Sequence, residues 1–247
     1  MEKNLNSYRQ SHMEPSVASL YESQFAERVD SLIWDEFVKP WLSDRLQMER
    51  DNGARRYLDF ACGTGRILKV GHKVFGQAEG IDISESMLTY AKQRVPEAHL
   101  RCLDVTRDDS GANEAGKFDC VTMFRFLRNA EPELRLGVLR WLAEHMNEGA
   151  VLVVNNHGNT GSTLGLVQRL AFWLPNEARN LLSRQQTFDL LTDAGFAVES
   201  WDGYRILPSL FGRPMLGRRL QAWAERCCRR LGLARFGGEL VIVARRC

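Results

Sequence analysis

The chain has 247 residues, of which 44% are hydrophobic and 26% are charged, and its formal net charge at pH 7 is +2. This length and composition are typical of one globular domain with a sizeable core. The near-neutral charge argues against a dedicated nucleic-acid-binding protein, and the sequence has no apolar run of about 18 residues that would span a membrane.

The cysteines and the N-terminal residues indicate the cellular setting. The six cysteines form no C-x-x-C pair and have no histidine at a spacing typical of zinc sites. The first residues are polar and lack the apolar stretch of a signal peptide. We therefore expect a cytoplasmic protein with reduced thiols and without a bound metal.

The predicted elements begin with a helical N-terminal region. Apolar residues at spacings of three and four indicate helix over residues 17–50, interrupted near Pro40, which lacks the N–H that a helix interior needs. Short apolar runs then predict strands at 56–61, 78–83, 99–104, 118–123 and 150–155. Helices are predicted to begin near Gly65, Ser86 and Pro132, and the last of them is expected to end at Gly149.

The remaining segments complete an alternation of strands and helices. Residues 187–196 predict a helix with Thr187 as its N-cap and Gly195 just past its end. Residues 197–204 and 238–246 predict the last two strands. Because strand–helix alternation at this spacing indicates βαβ units, we expect an α/β fold with a mostly parallel, seven-stranded sheet and helices on both faces.

Two segments, 158–182 and 207–236, do not fit the alternation and are expected to cap the ligand edge of the sheet. The chain is therefore predicted to be a single domain over residues 1–247. Within it we expect an N-terminal helical lid (1–50), a core (55–157), the two cap segments and a closing strand (237–247).

The stretch "YLDFACGTGRIL", residues 57–68, places small residues between a predicted strand and a predicted helix. In a parallel sheet, ligands bind at this position. Dinucleotide enzymes use G-x-G-x-x-G, because a pyrophosphate must approach the backbone. This chain has Asp59, Ala61, Gly63 and Gly65 in the pattern D-x-A-x-G-x-G, which makes a nicotinamide site the weaker interpretation.

Two further aspartates end the next two predicted strands. Asp82 ends the second strand in "EGIDISESML", where its carboxylate is placed to accept hydrogen bonds from two ribose hydroxyls. Asp104 ends the third strand in "RCLDV", where it is placed to accept from the exocyclic amine of a base. The carboxyl ends of parallel strands share one edge, so these residues and the glycine turn predict a nucleoside site.

Together these stretches resemble the class I S-adenosylmethionine (AdoMet)-dependent methyltransferases over roughly residues 55–200 and the closing strand. The matching stretches are "LDFACGTG", "GIDISESML", "LDV" at 103–105, "FDCVTMF" at 118–124, "HMNEGAVLVV" and "LLTDAGF". The resemblance implies a Rossmann-like fold, AdoMet as the cofactor and S-adenosylhomocysteine as the product.

The resemblance also implies which residues contact the nucleoside part and the methionine part of AdoMet. On the nucleoside part, Asp82 is expected to bind the ribose, Ile83 and Met87 to flank the adenine, Asp104 to meet the adenine amine and the Val105 amide to meet a ring nitrogen.

On the methionine part, Gly63 and Gly65 are expected to let the backbone pass, with Asp59 holding that loop. Phe124 and Arg125 are expected beside the sulfonium.

Two positions extend or depart from the family pattern. Tyr21 is the candidate for a tyrosine that closes over the cofactor from an N-terminal helix. Ala61 stands where the family usually has glycine, and its methyl group is expected to be tolerated with a negative φ.

Two segments near the expected methyl group are candidates for binding the acceptor. Arg125 and Asn129 are spaced i, i+4 and are expected to share a face, while Asn155, Asn156 and His157 follow the fifth strand. His157 is the candidate general base, since an ordinary pKa of about 6.5 suits that role. The first expectation is therefore O-methylation of a small or amphiphilic acceptor, with N-methylation next.

The second cap segment, 207–236, contains seven arginines and one acidic residue. Its apolar positions form a stripe at helical spacing: Leu216, Leu220, Trp223, Cys227 and Leu231. The stripe predicts an amphipathic helix that lies on the sheet with a solvated basic face. The alternative is a site for an anionic or lipid-linked acceptor, or weak docking on an acidic membrane.

Two alternative functions remain open from the sequence. One is a catalytically silent AdoMet-binding protein that acts through its basic cap, and the other is a nicotinamide oxidoreductase. Methylation of nucleic acid is disfavoured by the charge balance and by "MFRF" after the fourth strand, where base-methylating enzymes carry an Asn-Pro-Pro-Tyr-type tetrad. No oligomeric state is predicted.

Overall fold

The structure is a computed structural model that describes residues 28–107, 116–163, 165, 180–210 and 212–247. Its main sheet has seven strands: β1 (Tyr57–Phe60), β2 (Glu79–Asp82), β3 (His99–Cys102), β4 (Phe118–Met123), β5 (Met146–Asn156), β6 (Phe196–Tyr204) and β9 (Glu239–Arg246). A separate hairpin consists of β7 (Ser209–Leu210) and β8 (Arg213–Pro214).

The strand order of the main sheet is β3-β2-β1-β4-β5-β9-β6. The first five of these strands pair in parallel, and β9 is antiparallel to both of its neighbours. The predicted mostly parallel, seven-stranded sheet is therefore confirmed.

The helices pack on both faces of this sheet. They are α1 (Val29–Ile33), α2 (Lys39–Asp51), α3 (Arg66–Phe75), α4 (Glu85–Arg94), α5 (Pro132–Glu144), α6 (Arg184–Asp193) and α7 (Arg218–Arg230), with a 3-10 turn at Leu233–Phe236. Successive strand residues alternate between two core clusters. One cluster contains α1, α2 and α3, and the other contains α5 and α6.

Pro40 interrupts the N-terminal helical region without ending it. A π-helical turn, Trp34–Val38, joins α1 to α2, and Pro40 lies in the first turn of α2. Helical residues precede Pro40 without a break, so its missing N–H removes one hydrogen bond from the run, and the π-helical turn lies directly before it. Within the described residues, no helix is both long and apolar enough to cross a membrane.

Two predicted helix boundaries were wrong. Helix α5 ends at Glu144, and Gly149 lies inside β5 with φ of +72°. The N-cap of α6 is Ser183, because the Ser183 hydroxyl accepts from the Gln186 N–H (3.1 Å) and the Gln186 side chain accepts from the Ser183 N–H (2.8 Å). Thr187 instead donates its hydroxyl to the Ser183 carbonyl.

The orientation predicted for the amphipathic helix in 207–236 was also wrong. The buried residues of α7 are Gln221, Ala222 and Glu225, whereas the side chains of the apolar stripe point outward. Trp223 is 60% exposed. The polar face of α7 therefore packs on the protein, and its apolar face is presented to solvent.

Candidate active site

The loop that follows β1 has a left-handed backbone at three positions. The φ angles are +55° at Ala61, +51° at Gly63 and +79° at Gly65. The negative φ under which the Ala61 methyl group would be tolerated without strain is therefore not present, and the alanine adopts a conformation that costs a non-glycine residue roughly 1 kcal/mol. The turn orients the Gly63 N–H so that it donates a hydrogen bond to the Oδ2 of Asp82 (2.8 Å).

Gly65 packs closely against the helix α4. A Cβ at this position would lie 3.0 Å from the Cα of Ala91 in α4, which is a tight contact, and the positive φ also favours glycine here. Gly65 lines neither of the two cavities described below.

Asp59 lies behind the loop, where it is 1% exposed. Its Oδ1 accepts from the Thr122 hydroxyl (2.8 Å), which in turn is bonded to the Tyr57 hydroxyl (2.6 Å). These bonds join Asp59 to β4, and the backbone N–H of Leu68, in the helix that follows the glycine loop, also bonds to its carboxyl group. Burial raises the pKa of Asp59 to about 8 against the opposing effect of the Thr122 hydrogen bond, with a further increase from Asp82.

A first cavity opens beyond the carboxyl ends of β1, β2 and β3. It is lined by four of the residues expected around the nucleoside: Asp82, Ile83, Asp104 and Val105. Most of its other walls are apolar. The strand ends therefore converge as the sequence indicated, and they form an apolar slot with carboxylates at its rim.

The two carboxylates at this rim are already held by the chain. Asp82 accepts from the N–H groups of Gly63 and Ser84 (2.8 and 2.9 Å). Asp104 follows β3 by two residues, and its Oδ1 accepts from the N–H and the hydroxyl of Thr106 (3.1 and 2.7 Å). A carboxylate oxygen has more than one acceptor site, so these bonds orient the groups and leave them able to accept from a ligand.

A second cavity of about 310 Å³ adjoins the first and shares Ala61 and Asp82 with it. Gly63, Phe124, Arg125, Asn129 and His157 line it as well. Met87 also lines this second cavity, whereas Ile83 lines the adjoining first cavity.

Arg125 connects the second cavity to the N-terminal helix. Its φ is +59°, and its N–H donates to the Oδ1 of Asn155 (2.5 Å). Its guanidinium lies 3.3 Å from the carboxylate of Asp30 in α1. Asn129 donates its amide to the Arg125 carbonyl (2.7 Å), so both residues line the cavity as part of one turn.

Asp30 is buried among three guanidiniums. Besides Arg125, it pairs with Arg28 and Arg205, each at 3.4 Å. Burial raises the pKa of Asp30, but the three arginines outweigh this effect, so the pKa is lowered. The Asp30 carboxylate is therefore held in its ionised form among these arginines.

Asn155 and Asn156 are both hydrogen-bonded within the chain at the end of β5. Both are buried, and neither lines a described cavity. Asn155 donates to Glu239 (2.7 Å), and Asn156 donates to the carbonyl of Leu182 (2.9 Å) and to Thr187 (3.0 Å). Their amide groups therefore fix the end of β5.

His157 lines the second cavity, with its side chain almost fully buried. Among the described residues its Nδ1 has no hydrogen-bond partner. Burial lowers its pKa well below the usual value, and the charges of Arg125, Arg128 and Arg205 lower it further. The ordinary pKa expected for this residue was therefore wrong, and the imidazole is neutral and a weak proton acceptor.

Several lining residues were not predicted from the sequence. Phe126, Leu134 and Val138 line the first cavity, and Arg66 and Arg128 line the second. Leu134 and Val138 also belong to the hydrophobic core. Arg128 lies in the stretch "FRFLRNA" that was singled out, three residues after Arg125. Tyr21 lies outside the described residues.

Known proteins are similar to this chain in sequence and in fold. The model of the methyltransferase domain family matches residues 26–200, which is more than half of the chain. A dTDP-3-amino-3,4,6-trideoxy-alpha-D-glucopyranose N,N-dimethyltransferase from Streptomyces venezuelae is 36% identical over 109 residues, 44% of this chain and 45% of the relative. A dTDP-4-amino-2,3,4,6-tetradeoxy-D-glucose N,N-dimethyltransferase from Saccharopolyspora spinosa is 31% identical over 147 residues, 56% of each chain.

The chain thus spans about half the length of these curated relatives. Among solved structures, a SAM-bound amino pentose methyltransferase from Micromonospora echinaspora, involved in calicheamicin biosynthesis, has a TM-score of 0.56 at 19% identity and covers 92% of this chain and 97% of its own. That likeness concerns the fold. With the family match, it confirms the resemblance seen in the sequence, and the chain belongs to the methyltransferase domain family, as a class I AdoMet-dependent methyltransferase.

Proposed function

We propose that this chain transfers the methyl group of AdoMet to an amine nitrogen of a small acceptor that also carries an anionic group. The dTDP-linked amino sugars in the names of the two relatives have both features. The observation that carries the proposal is the charge of the second cavity, in which Arg66, Arg125 and Arg128 accompany the buried His157.

The residues of the first cavity and the glycine loop fit AdoMet. A Cβ at Gly63 would meet no atom within 4 Å, so there is open space beside the backbone for a ligand. The Asp82 carboxylate lies between the two cavities and suits two neighbouring ribose hydroxyls, while Ile83 and Val105 suit the faces of a purine. When bound, AdoMet supplies an electrophilic methyl group on its sulfonium.

The second cavity suits the anionic part of an acceptor. Guanidinium groups donate paired hydrogen bonds that match phosphate and carboxylate oxygens. The lining contains three arginines and one acidic residue, Asp82. Asp30 also forms an ion pair with Arg125, but the same carboxylate pairs with Arg28 and Arg205. The diphosphate that links a sugar to a nucleoside carries the kind of charge that guanidinium groups bind.

The same charge favours an amine over a hydroxyl as the nucleophile. Nearby cations lower the pKa of a bound ammonium group, as they lower that of His157, so the amine is held as the free base with its lone pair available. A hydroxyl would need a base, and the depressed pKa of His157 makes it a poor one. We therefore place N-methylation first and O-methylation second, which reverses the order expected from the sequence.

The test is to incubate the purified chain with AdoMet and a dTDP-linked 3-amino sugar, with the corresponding 3-hydroxy sugar nucleotide as the matched acceptor. We expect S-adenosylhomocysteine and a sugar carrying one or two added methyl groups from the amine alone. Arg128→Gln is expected to raise KM for the sugar nucleotide more than it lowers kcat. Arg140→Gln, an exposed position on α5, serves as the control substitution.

Other results would support the alternatives. Methylation of the 3-hydroxy sugar in preference to the amine would establish O-methylation. Tight AdoMet binding with no turnover of any amine or hydroxyl acceptor would indicate the silent binding protein. Binding of NAD in preference to AdoMet would indicate the oxidoreductase.

A further inference from the structure

Helix α7 presents an apolar stripe to solvent, in the reverse of the usual arrangement for a surface helix. Leu216, just before the helix, is 41% exposed, Leu220 is 52% exposed, and Trp223 is 60% exposed. Leu231, just after it, is 76% exposed. Leu220 and Trp223 are three residues apart and share one face of α7, while Leu216 and Leu231 flank the two ends of the helix.

Polar bonds on the opposite face fix this orientation. The Glu225 carboxylate accepts from the backbone N–H groups of Ile206 (2.7 Å) and Leu207 (3.2 Å), which follow β6. Gln221 accepts from the Leu216 N–H (3.2 Å). Both side chains are buried, at 1% and 2% exposure, so rotating the helix to bury the stripe would break these bonds.

Arginines line one edge of the stripe. Arg219, Arg226 and Arg230 are spaced by seven and four residues and are all exposed. Arg226 pairs with Glu36 (2.5 Å), whereas Arg219 and Arg230 form no ion pair with the part of the chain that the structure describes. The one acidic residue of α7 is the buried Glu225.

We propose that this face of α7 docks on the surface of a membrane rich in anionic lipid. The helix would lie in the plane of the interface, with its leucines and Trp223 between headgroups and acyl chains and its arginines at the lipid phosphates. Tryptophan favours this depth because its ring is apolar and its N–H is polar. An antiparallel two-fold pairing of two copies is disfavoured, since it places both arginine edges on the same side. The proposal does not depend on the identity of the methyl acceptor.

The experiment is co-sedimentation of the full chain with vesicles of phosphatidylcholine alone and of phosphatidylcholine rich in phosphatidylglycerol, at low and high salt. We expect retention by the anionic vesicles alone and its loss at high salt. Arg219→Gln with Arg230→Gln should lower the partition coefficient roughly thirtyfold, because each arginine beside an anionic surface changes it by roughly fivefold. Trp223→Ser should lower it by roughly tenfold or more.

Matched controls separate docking from general surface effects. Met48→Ser removes an apolar side chain that is 43% exposed on α2, and Arg140→Gln removes an exposed charge on α5; neither should change retention. Thermal unfolding and S-adenosylhomocysteine binding of each variant report whether it is folded. The proposal is overturned if folded wild-type chain is not retained, if it binds neutral vesicles equally, or if Trp223→Ser instead abolishes a concentration-dependent dimer.

Discussion

Replacement of Asp59 by asparagine should make the stability of the chain less dependent on pH. The carboxyl group is buried beneath the glycine loop, and folding raises its pKa from an ordinary value of 3.8 to about 8. Between these values the folded state holds one proton more than the unfolded state. The free energy of unfolding therefore falls as the pH rises from about 4 to about 8, by roughly 1.4 kcal/mol per pH unit.

The Asp59→Asn variant removes this titration and keeps an oxygen for the Thr122 hydroxyl. Between pH 5 and pH 7 the wild-type chain should lose about 2.7 kcal/mol relative to the variant. The assay is urea unfolding of both proteins without ligand at the two pH values, analysed as a double difference.

Asp119→Asn is the matched control for this measurement. The pKa of Asp119 is lowered by hydrogen bonds from the N–H groups of Arg56 and Arg55 and from Asn147, which outweigh its partial burial. It is therefore ionised in both states between pH 5 and pH 7, and its replacement should shift stability equally at both values. Parallel pH dependences of wild type and Asp59→Asn would refute the assignment of a neutral, buried carboxyl group.

Three further substitutions test the site. Asp82→Ala should weaken S-adenosylhomocysteine binding by about 1.5–3 kcal/mol, the usual loss for hydrogen bonds to a charged group; unchanged affinity by calorimetry would remove Asp82 from the ribose site. Ala61→Gly should raise the free energy of unfolding by about 1 kcal/mol, because glycine adopts the positive φ without strain. The control Ala197→Gly in β6 should lower the free energy of unfolding. A lower free energy of unfolding for Ala61→Gly, measured by urea unfolding, would contradict the strain at this position. His157→Gln should keep kcat for an amine acceptor within about tenfold, and a loss of about a hundredfold or more with intact S-adenosylhomocysteine binding would restore the general base.

The cofactor half of the site was largely predictable because it depends on local chain order. Each parallel strand ends in a loop at the same sheet edge, so the positions of Asp82 and Asp104 after their strands were enough to bring them together with Ile83 and Val105. The short apolar run at 118–123 also located β4 at the predicted residues.

The acceptor half depends on contacts between distant residues. The pKa of His157 is lowered in part by Arg205, which is far along the chain, and Arg125 is held by Asp30 in α1. In α7 the spacing of the apolar residues identified a stripe but not its direction. That direction is set by Glu225, whose partners lie 18 and 19 residues earlier. Periodicity within one segment carries no information on such bonds.

The most direct test of the central claim is to follow the methyl group itself. The chain is incubated with AdoMet carrying a carbon-13-labelled methyl group and a dTDP-linked amino sugar that offers both an amine and a hydroxyl, and the product is observed by carbon–proton correlation NMR. We predict that the labelled methyl group appears on nitrogen, with the hydroxyl unmodified. A labelled methyl group on oxygen, with the amine unmodified, would contradict the account of the second cavity.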